Sequence, residues 1–189
     1  GNPIYEVINY YDKQINKSNI LNKLKLQKKK YFLVTLHRTE NTNDPKRLKN
    51  FLDSFKKVHA KYKLDLIWPI HPRSKLSIKD NNLKIPKGLR TINPLDFFEF
   101  VKLEKNSLCV ITDSGTVQEE CAIFGLPNIT IRDSTERPET IEGGSNFITG
   151  DSAEKILSGI NISIKTEHNF QCPNEYKYKN VSNTVLKIL

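Results

Sequence analysis

Four polar segments of the chain concentrate the residue types that bind phosphates and transfer protons. Each segment directly follows a short apolar run. The four segments span residues 35–41, 69–73, 113–120 and 132–139. Histidine transfers protons near neutral pH, and arginine binds phosphate oxygens through two parallel hydrogen bonds. Because both types recur at these positions, the sequence predicts a site for a phosphate-bearing ligand.

The segment 113–120 favours anion binding at the start of a helix. Gly115 lets the backbone approach a ligand closely, and the free N–H groups of a first helical turn, with the helix dipole, hold phosphate. Glu120 lies one turn beyond Thr116, where it can accept hydrogen bonds from a ribose diol. A Ser-Gly-Thr run is also common at capped helix starts that bind nothing. Thr116 excludes the GxGxxG dinucleotide fingerprint.

Two histidines and two arginines are further candidates. His37 lies beside Arg38 at the end of an apolar run, and we expect that positive charge to keep the imidazole neutral. A buried core histidine is the alternative for His37. His71 is a weaker candidate, because the proline after it simply ends a strand. Arg137 lies among carboxylates, so it either reaches a diphosphate or forms a surface ion pair.

The apolar pattern predicts a scaffold that gathers these segments at one edge. Strands are predicted over 31–36, 65–70, 89–92, 108–112, 128–131 and 146–149, and helices over 3–26, 45–58, 94–103, 116–124, 151–157 (capped by Asp151) and 175–189. Alternation of strands and helices is typical of an α/β fold with a doubly wound parallel sheet, of the Rossmann-like kind. In such sheets, ligands bind beyond the carboxyl ends of the strands.

Length and composition fit one globular domain. The 189 residues (21.8 kDa) are enough for a core that needs no disulfide or metal. Apolar stretches are far shorter than the roughly twenty residues of a membrane span, and the first residues do not resemble a secretory leader. Cys109, Cys121 and Cys172 lack CxxC spacing, so we expect reduced thiols in a cytoplasmic protein. The absence of methionine predicts a processed product or an excised fragment.

The net charge of +9 permits nucleic-acid binding without favouring it. Only six of the 30 basic residues are arginine, the type that most often reads base edges. The lysines concentrate in the first third of the chain, a distribution typical of a solvated surface. We therefore expect no nucleic-acid or membrane partner, and a basic nucleic-acid-binding domain is a remote alternative that rests on charge alone.

Taken in order, the four segments resemble the motifs of the non-hydrolysing UDP-N-acetylglucosamine 2-epimerases. Residues 35–41 match T-x-H-R-x-E-N, residues 70–73 match x-H-P, residues 113–120 match D-S-G-[GT]-x-Q-E-E, and residues 132–139 match R-D-x-T-E-R-P-E. Gly1-Asn2 resembles the G-N segment at the family's interdomain crossover. The resemblance covers essentially the whole chain, but only the carboxy-terminal half of the family's proteins.

The resemblance implies the carboxy-terminal, UDP-binding domain of a two-domain enzyme of the GT-B type. It makes residues 1–30 the interdomain crossover and helix, and residues 31–189 the Rossmann-like domain. The family interconverts UDP-N-acetylglucosamine and UDP-N-acetylmannosamine at C2 by eliminating and re-adding UDP, without cofactor or metal. Its proton-transferring carboxylates lie in the missing amino-terminal domain, so we expect the chain alone to be inactive. The resemblance also implies a cytoplasmic enzyme that is a homodimer at full length.

Carried over by position, the resemblance assigns catalysis to one residue and substrate binding to eight. His37 is the catalytic residue. Ser114, Gly115 and Thr116 match the diphosphate-binding residues, Glu120 the ribose-binding residue, Phe100 the neighbour of uracil, Arg137 a ligand of the phosphates or sugar, and Arg38 and His71 the contacts of a second, regulatory UDP-sugar in some bacterial members.

Two positions depart from the most familiar members. Thr116 replaces a glycine and resembles the branch that acts on 6-deoxy-sugar nucleotides for cell-envelope polysaccharides. Leu95 replaces a polar residue near the uracil. A UDP-sugar hydrolase or a GT-B glycosyltransferase half is the enzymatic alternative, although the segments 35–41 and 135–139 favour the epimerase.

Overall fold

The computed structural model describes residues 2–165 and 170–188 and contains one six-stranded parallel sheet. The strands are β1 Tyr31–Thr35, β2 Asp65–Pro69, β3 Leu89–Ile92, β4 Cys109–Thr112, β5 Asn128–Thr130 and β6 Asn146–Ile148. Their order is β3-β2-β1-β4-β5-β6, with every neighbouring pair parallel. The predicted doubly wound α/β fold is confirmed. β1 and β4 are neighbours in the sheet although β2 and β3 lie between them in the sequence, and the strand order reverses at this point.

Eleven helices are described, together with a 3₁₀ turn at Asn174–Lys177. They are α1 Pro3–Tyr10, α2 Asp12–Lys17, α3 Ile20–Lys23, α4 Thr39–Thr42, α5 Pro45–Tyr62, α6 Pro72–Asp80, α7 Phe97–Asn106, α8 Gly115–Phe124, α9 Pro138–Glu142, α10 Ala153–Lys165 and α11 Val181–Ile188. Helix α5 begins as its sequence predicts, because the Asp44 carboxylate accepts from the N–H groups of Lys46 and Arg47.

The central strands are buried on both faces because helices cover both sides of the sheet. All residues of β1 and β4 are buried. Phe32 and Val34 of β1 pack in one hydrophobic cluster with α5, whereas Tyr31 and Leu33 pack in the other with α7 and α8. A strand that faces two cores must be apolar at every position, which explains the continuous apolar run at 31–36.

Three short helices were not predicted, and each follows a strand end. Helix α6 begins at Pro72, which the sequence interpretation treated only as the end of a strand. Proline has no N–H to lose at the first helical position and already has a helical φ, so Pro72 begins a helix as well. Helices α4 and α9 are one-turn elements inside the polar segments, too short for a periodic pattern.

Several predicted helix bounds were wrong. Asp151 does not cap α10: its carboxylate accepts from Asn50 Nδ2 at 2.8 Å, and the helix runs over 153–165. Helix α7 begins at Phe97 rather than at residue 94, because Asp96 caps it by accepting from the N–H of Glu99 at 2.8 Å. The carboxy-terminal helix begins at Val181 rather than at residue 175.

The first three helices pack against α7 and α8, on the side of the sheet that carries the second cluster. The predicted boundary at residue 30 stays a prediction. Gly1 of the predicted crossover motif and Leu189 of the predicted last helix lie outside the described residues. All three cysteines are free thiols, two of them buried. Among the described residues, no helix is long and apolar enough to cross a membrane.

Candidate functional site

A cavity of about 350 Å³ lies at the carboxyl ends of β1, β2 and β4. It adjoins the point between β1 and β4 where the strand order reverses, which is where open α/β sheets bind ligands. Its lining residues are Thr35, Leu36, His37, Pro69, His71, Pro94, Leu95, Phe100, Ser114 and Val117. The cavity combines an apolar wall with two histidines and a helix start.

The structure brings four of the nine predicted site residues together at this cavity: His37, His71, Phe100 and Ser114. Leu95 lies beside Phe100 in the same wall, which makes this end of the cavity apolar. A flat apolar wall suits a nucleobase face, since stacking on an aromatic ring is tolerant of the base's identity. Arg38, Glu120 and Arg137 are not among the lining residues.

Asp113, at the end of β4, organises the loop after β1. Its side chain is fully buried, and its Oδ2 accepts from the backbone N–H groups of His37 at 2.9 Å and Arg38 at 2.8 Å. The same oxygen accepts from Asn41 Nδ2 at 3.2 Å. Asn41 is itself buried and accepts from Arg47 Nε at 2.7 Å. These bonds tie the loop to the neighbouring strand and fix where His37 lies.

The imidazole of His37 lies against the other oxygen of Asp113. His37 Nδ1 is 3.3 Å from Asp113 Oδ1, with 44% of the His37 side chain exposed and none of the Asp113 side chain. Asp113 Oδ1 has no hydrogen-bond partner among the described residues, so the 3.3 Å approach is an ion-pair distance and not a hydrogen bond. The ring therefore lies beside a buried carboxylate. The sequence-based expectation for His37 considered only the charge of Arg38 and did not include this carboxylate.

His71 has a different local role, although it lines the same cavity. It is the N-cap of α6, and its Nδ1 accepts from the backbone N–H of Arg73 at 3.2 Å. An Nδ1 that accepts a hydrogen bond carries no proton, so this geometry describes a ring with its hydrogen on Nε2. The sequence interpretation ranked His71 below His37, and the contacts give the physical reason for that order.

The start of α8 adjoins the cavity: Ser114 and Val117 line it, whereas Gly115 and Thr116 do not. Ser114 is its N-cap, and within the described residues its side chain makes no capping hydrogen bond. The first N–H groups of any helix have no acceptor inside the helix, so an anion can bind there. A methyl group at Gly115 would lie 4.0 Å from the Arg137 guanidinium. That is an ordinary contact, so any requirement for glycine comes from a ligand.

Arg137 lies over this helix start, held by α8. Its Nε donates to Glu119 Oε1, and its Nη1 donates to the backbone carbonyl of Glu136 at 3.0 Å. The bond to Glu119 raises the pKa of the Arg137 guanidinium. Arg137 and Glu119 line a separate recess of about 420 Å³ together with Asn2. Arg137 thus lies close to the start of α8 and lines a different recess from His37.

The loop 132–139 is anchored at both ends. Gln118 Oε1 accepts from Thr135 Oγ1 at 2.6 Å. Arg132 donates from Nη1 and Nη2 to the two oxygens of Glu136 at 2.7 and 2.9 Å. The Arg132 bonds lower the pKa of Glu136 to about 2. The loop that carries Arg137 is therefore held to α8 through Thr135 and Arg137, and the Arg132–Glu136 ion pair braces it internally.

Glu120 lies on the buried side of α8, where it meets an acidic residue that was not predicted from the sequence. Only 4% of Glu120 is exposed, and its carboxyl group hydrogen-bonds with that of Glu104 from α7. Burial raises the pKa of Glu120 to about 7. The sequence held a signal for Glu104: it follows Phe100 and Val101 by four and three residues, on the apolar face of its helix.

Asp113 and Asn41 were also missed as organising residues, although both lie in the polar segments 113–120 and 35–41. Among the described residues, no three His, Cys, Asp or Glu side chains form a cluster suited to a metal ion. Another cavity of about 420 Å³ lies beside the edge strand β3. Four isoleucines form most of its lining, and Lys75, Thr91 and Asn93 complete it.

Comparison with known proteins gives concordant matches. A family model described as UDP-N-acetylglucosamine 2-epimerase matches residues 1–189. The UDP-N-acetylglucosamine 2-epimerase of Methanocaldococcus jannaschii is 43% identical over 147 residues, which cover 76% of this chain and 40% of that protein. The UDP-2,3-diacetamido-2,3-dideoxy-D-glucuronate 2-epimerase of Pseudomonas aeruginosa is 34% identical over 134 residues, covering 71% and 37%.

A solved structure agrees over the whole fold. The crystal structure of the Methanocaldococcus jannaschii enzyme in complex with UDP-GlcNAc and UDP superposes with a TM-score of 0.91 at 36% identity. It covers 100% of this chain and 53% of that chain. This chain therefore spans about two fifths of the two curated relatives' length and about half of the solved chain.

Proposed function

The chain belongs to the UDP-N-acetylglucosamine 2-epimerase family, corresponding to the carboxy-terminal half of its members, and we propose that it binds the UDP part of a UDP-sugar during 2-epimerisation. The family resemblance seen in the sequence is thereby confirmed. One observation carries the proposal: His37, backed by buried Asp113, faces the same cavity as the uncapped start of α8. A proton-transferring group and an anion site adjoin at the sheet's switch point.

The geometry supports a particular placement of UDP. The diphosphate binds the N–H groups at the start of α8, near Ser114, Gly115 and Thr116, and Arg137 lies close to it. The uracil lies in the apolar part of the cavity beside Phe100 and Leu95. The family resemblance, and not the cavity lining, assigns the ribose hydroxyl groups to Glu120, which is buried and does not line the cavity.

The proposed reaction interconverts UDP-N-acetylglucosamine and UDP-N-acetylmannosamine. The C2 proton leaves, the bond from C1 to the diphosphate oxygen breaks, and UDP departs; the proton then returns to the other face of C2 as that bond re-forms. Negative charge develops on the departing diphosphate, so the helix start and Arg137 stabilise the transition state. His37 lines the cavity beside this helix start, so its ring contacts the departing diphosphate. The groups that move the C2 proton belong to the amino-terminal half of the family's proteins.

Other parts of the proposal rest on the family rather than on contacts. Arg38 and His71 contact a second, regulatory UDP-sugar, the full-length protein is a cytoplasmic homodimer, and Thr116 makes a related 6-deoxy UDP-sugar the alternative substrate. The two curated relatives described above have names that differ in the sugar. The sugar is therefore the least supported part of the proposal.

The test is calorimetric titration of this chain with UDP, beside an epimerase assay of the same sample. We expect saturable UDP binding, a raised melting temperature in its presence, and no turnover. ADP is the matched control ligand, since it has the same diphosphate and ribose but a larger base. Robust turnover by the chain alone would contradict the assignment of C2 chemistry to the other half. Absence of UDP binding, with DNA binding that falls steeply with salt, would favour the nucleic-acid alternative.

A further inference from the structure

Glu104 is a carboxylic acid in an apolar setting, beneath the proposed UDP site. It lies on α7 with none of its surface exposed. The thiol of Cys121 is 3.4 Å from its Oε1, and its carboxyl group hydrogen-bonds with that of Glu120 on the facing helix. Two carboxyl groups can hydrogen-bond only if one of them carries a proton. The pair therefore holds at least one proton.

The unused atom of Glu104 shows where that proton lies. Glu104 Oε2 is buried, and within the described residues no donor is directed at it. A buried carboxylate oxygen without a donor is costly, whereas a carboxylic acid O–H needs an acceptor instead of a donor. The Glu120 carboxylate is that acceptor. Glu104 is also the more deeply buried of the two, and burial disfavours the charged form.

The titratable groups around the pair come from several elements. Cys121 and Glu119 lie on the same helix as Glu120, Cys109 lies on β4, and Tyr31 on β1 donates its O–H to the Leu103 carbonyl at 2.6 Å. Lys29, just before β1, faces the two cysteines. Burial raises the pKa of both thiols, so neither supplies a competing negative charge at neutral pH.

We propose that Glu104 is a positioning residue for UDP binding: as the neutral acid it donates a hydrogen bond to Glu120 and holds Glu120 ionised toward the ribose hydroxyls. This inference rests on the proposed function, because it gives Glu120 the ribose. An ionised carboxylate accepts two hydroxyl hydrogen bonds, whereas a protonated one accepts fewer and weaker bonds. Glu104 thus determines the pH above which the ribose is recognised.

The pKa of Glu120, raised by burial to about 7 and lowered in part by the Glu104 hydrogen bond, gives the sign. Glu120 gains a proton as the pH falls through about 7, and ribose recognition weakens with it. Without a donor at position 104, Glu120 keeps its proton to a higher pH. A donor that cannot ionise, such as the amide of Gln, preserves the wild-type behaviour.

The experiment measures Kd for UDP and 2′-deoxy-UDP between pH 6 and 9. Both ligands carry the same diphosphate, so its own titration cancels in their ratio. For the wild type, we expect the preference for UDP to rise with pH and to level off above about 7. Glu104→Met removes the hydrogen-bond donor with little loss of volume. It should weaken UDP binding at pH 7 by about tenfold and move the rise in the preference for UDP to higher pH. Glu104→Gln should retain the wild-type profile.

Two controls separate this inference from the proposed function. Glu99→Gln changes an acid on the same helix that pairs at the surface with Lys23, and it should leave both profiles unchanged. Glu120→Ala should remove the preference for UDP at every pH. A wild type that does not bind UDP refutes the proposed function itself.

If the wild type binds UDP, three results overturn the role of Glu104. They are a pH-independent preference in the wild type, wild-type behaviour of Glu104→Met, and weakened UDP binding by Glu104→Gln. Two of these results come from the wild type and from Glu104→Gln, which both keep a polar side chain at position 104. They test the role of Glu104 even if Glu104→Met fails to fold.

Discussion

The loops after β1 and β2 present the same residue type to the same cavity in different ways. Both loops place a histidine directly beyond a buried strand, and both histidines line the cavity. His37 lies against the buried Asp113 carboxylate, which also accepts from the N–H of His37 itself. His71 turns its Nδ1 to its own backbone and caps α6.

The position of a histidine at a strand end therefore does not decide its role in the site. The deciding factor is the acceptor or donor that the neighbouring strand supplies. β4 ends in Asp113 beside β1, which gives His37 a partner from another element. The side chain of His71 is bonded within its own turn. Three predictions test the comparison, from the largest expected effect to the smallest.

The largest effect is expected at Asp113, which distinguishes the two loops. Asp113→Ala leaves two part-buried backbone N–H groups without their acceptor and removes one of the two acceptors of the Asn41 amide, and an unsatisfied buried group costs about 1–3 kcal/mol. We expect the free energy of unfolding to fall by about 3 kcal/mol or more, measured by urea denaturation. Asp133→Ala is the control: that side chain is 74% exposed and, among the described residues, pairs only with Arg47. A loss below about 1 kcal/mol is expected there.

Equal losses for the two aspartate variants would show that Asp113 does not organise the loop after β1. The comparison between the histidines would then lose its physical basis.

The second prediction exchanges each histidine for asparagine. In the protein that includes the amino-terminal half, His37→Asn should lower turnover about a hundredfold, the scale of an acid–base or oxyanion-stabilising group. His71→Asn should change turnover far less, because asparagine is itself a good N-cap. Melting temperatures of both variants should stay near that of the wild type, since no large apolar volume is lost. A His37→Asn protein that melts several degrees lower but turns over normally would make His37 structural.

The smallest effect is expected from removing the cap of α6. His71→Ala should lower the free energy of unfolding by about 1 kcal/mol, the usual cost of losing an N-cap, and His71→Asn should restore it. His37→Ala removes no helix cap. Comparing the free energies of unfolding of His37→Ala and His71→Ala therefore separates the loss of a cap from the loss of a side chain beside Asp113. If His71→Ala is as stable as the wild type, the His71 bond to the Arg73 N–H contributes nothing and the ring is available to a ligand.

Much of the fold could be predicted because its signals are local. Continuous apolar runs mark strands that must be buried on both faces, as in β1 and β4. Asp44-Pro45 marks the start of α5 through a cap and a preset φ. The missed helices α4 and α9 have one turn each, which is too short for periodicity to appear. Neither helix has a side-chain cap that could mark its start in the sequence.

The sequence by itself determined the order of strands and helices, the edge at which the polar segments meet, and the family. Those properties follow from the spacing of apolar runs and polar motifs along the chain, and that spacing is the same whatever the tertiary contacts. Only the tertiary structure decided that Asp113 serves His37 rather than capping α8, and that Glu120 meets Glu104 under the helix. These partners are 76 and 16 residues apart, and they meet because parallel pairing aligns β4 with β1 and packing sets α7 against α8. Sequence spacing shows which groups are present, whereas packing decides which of them lie close enough to share a proton.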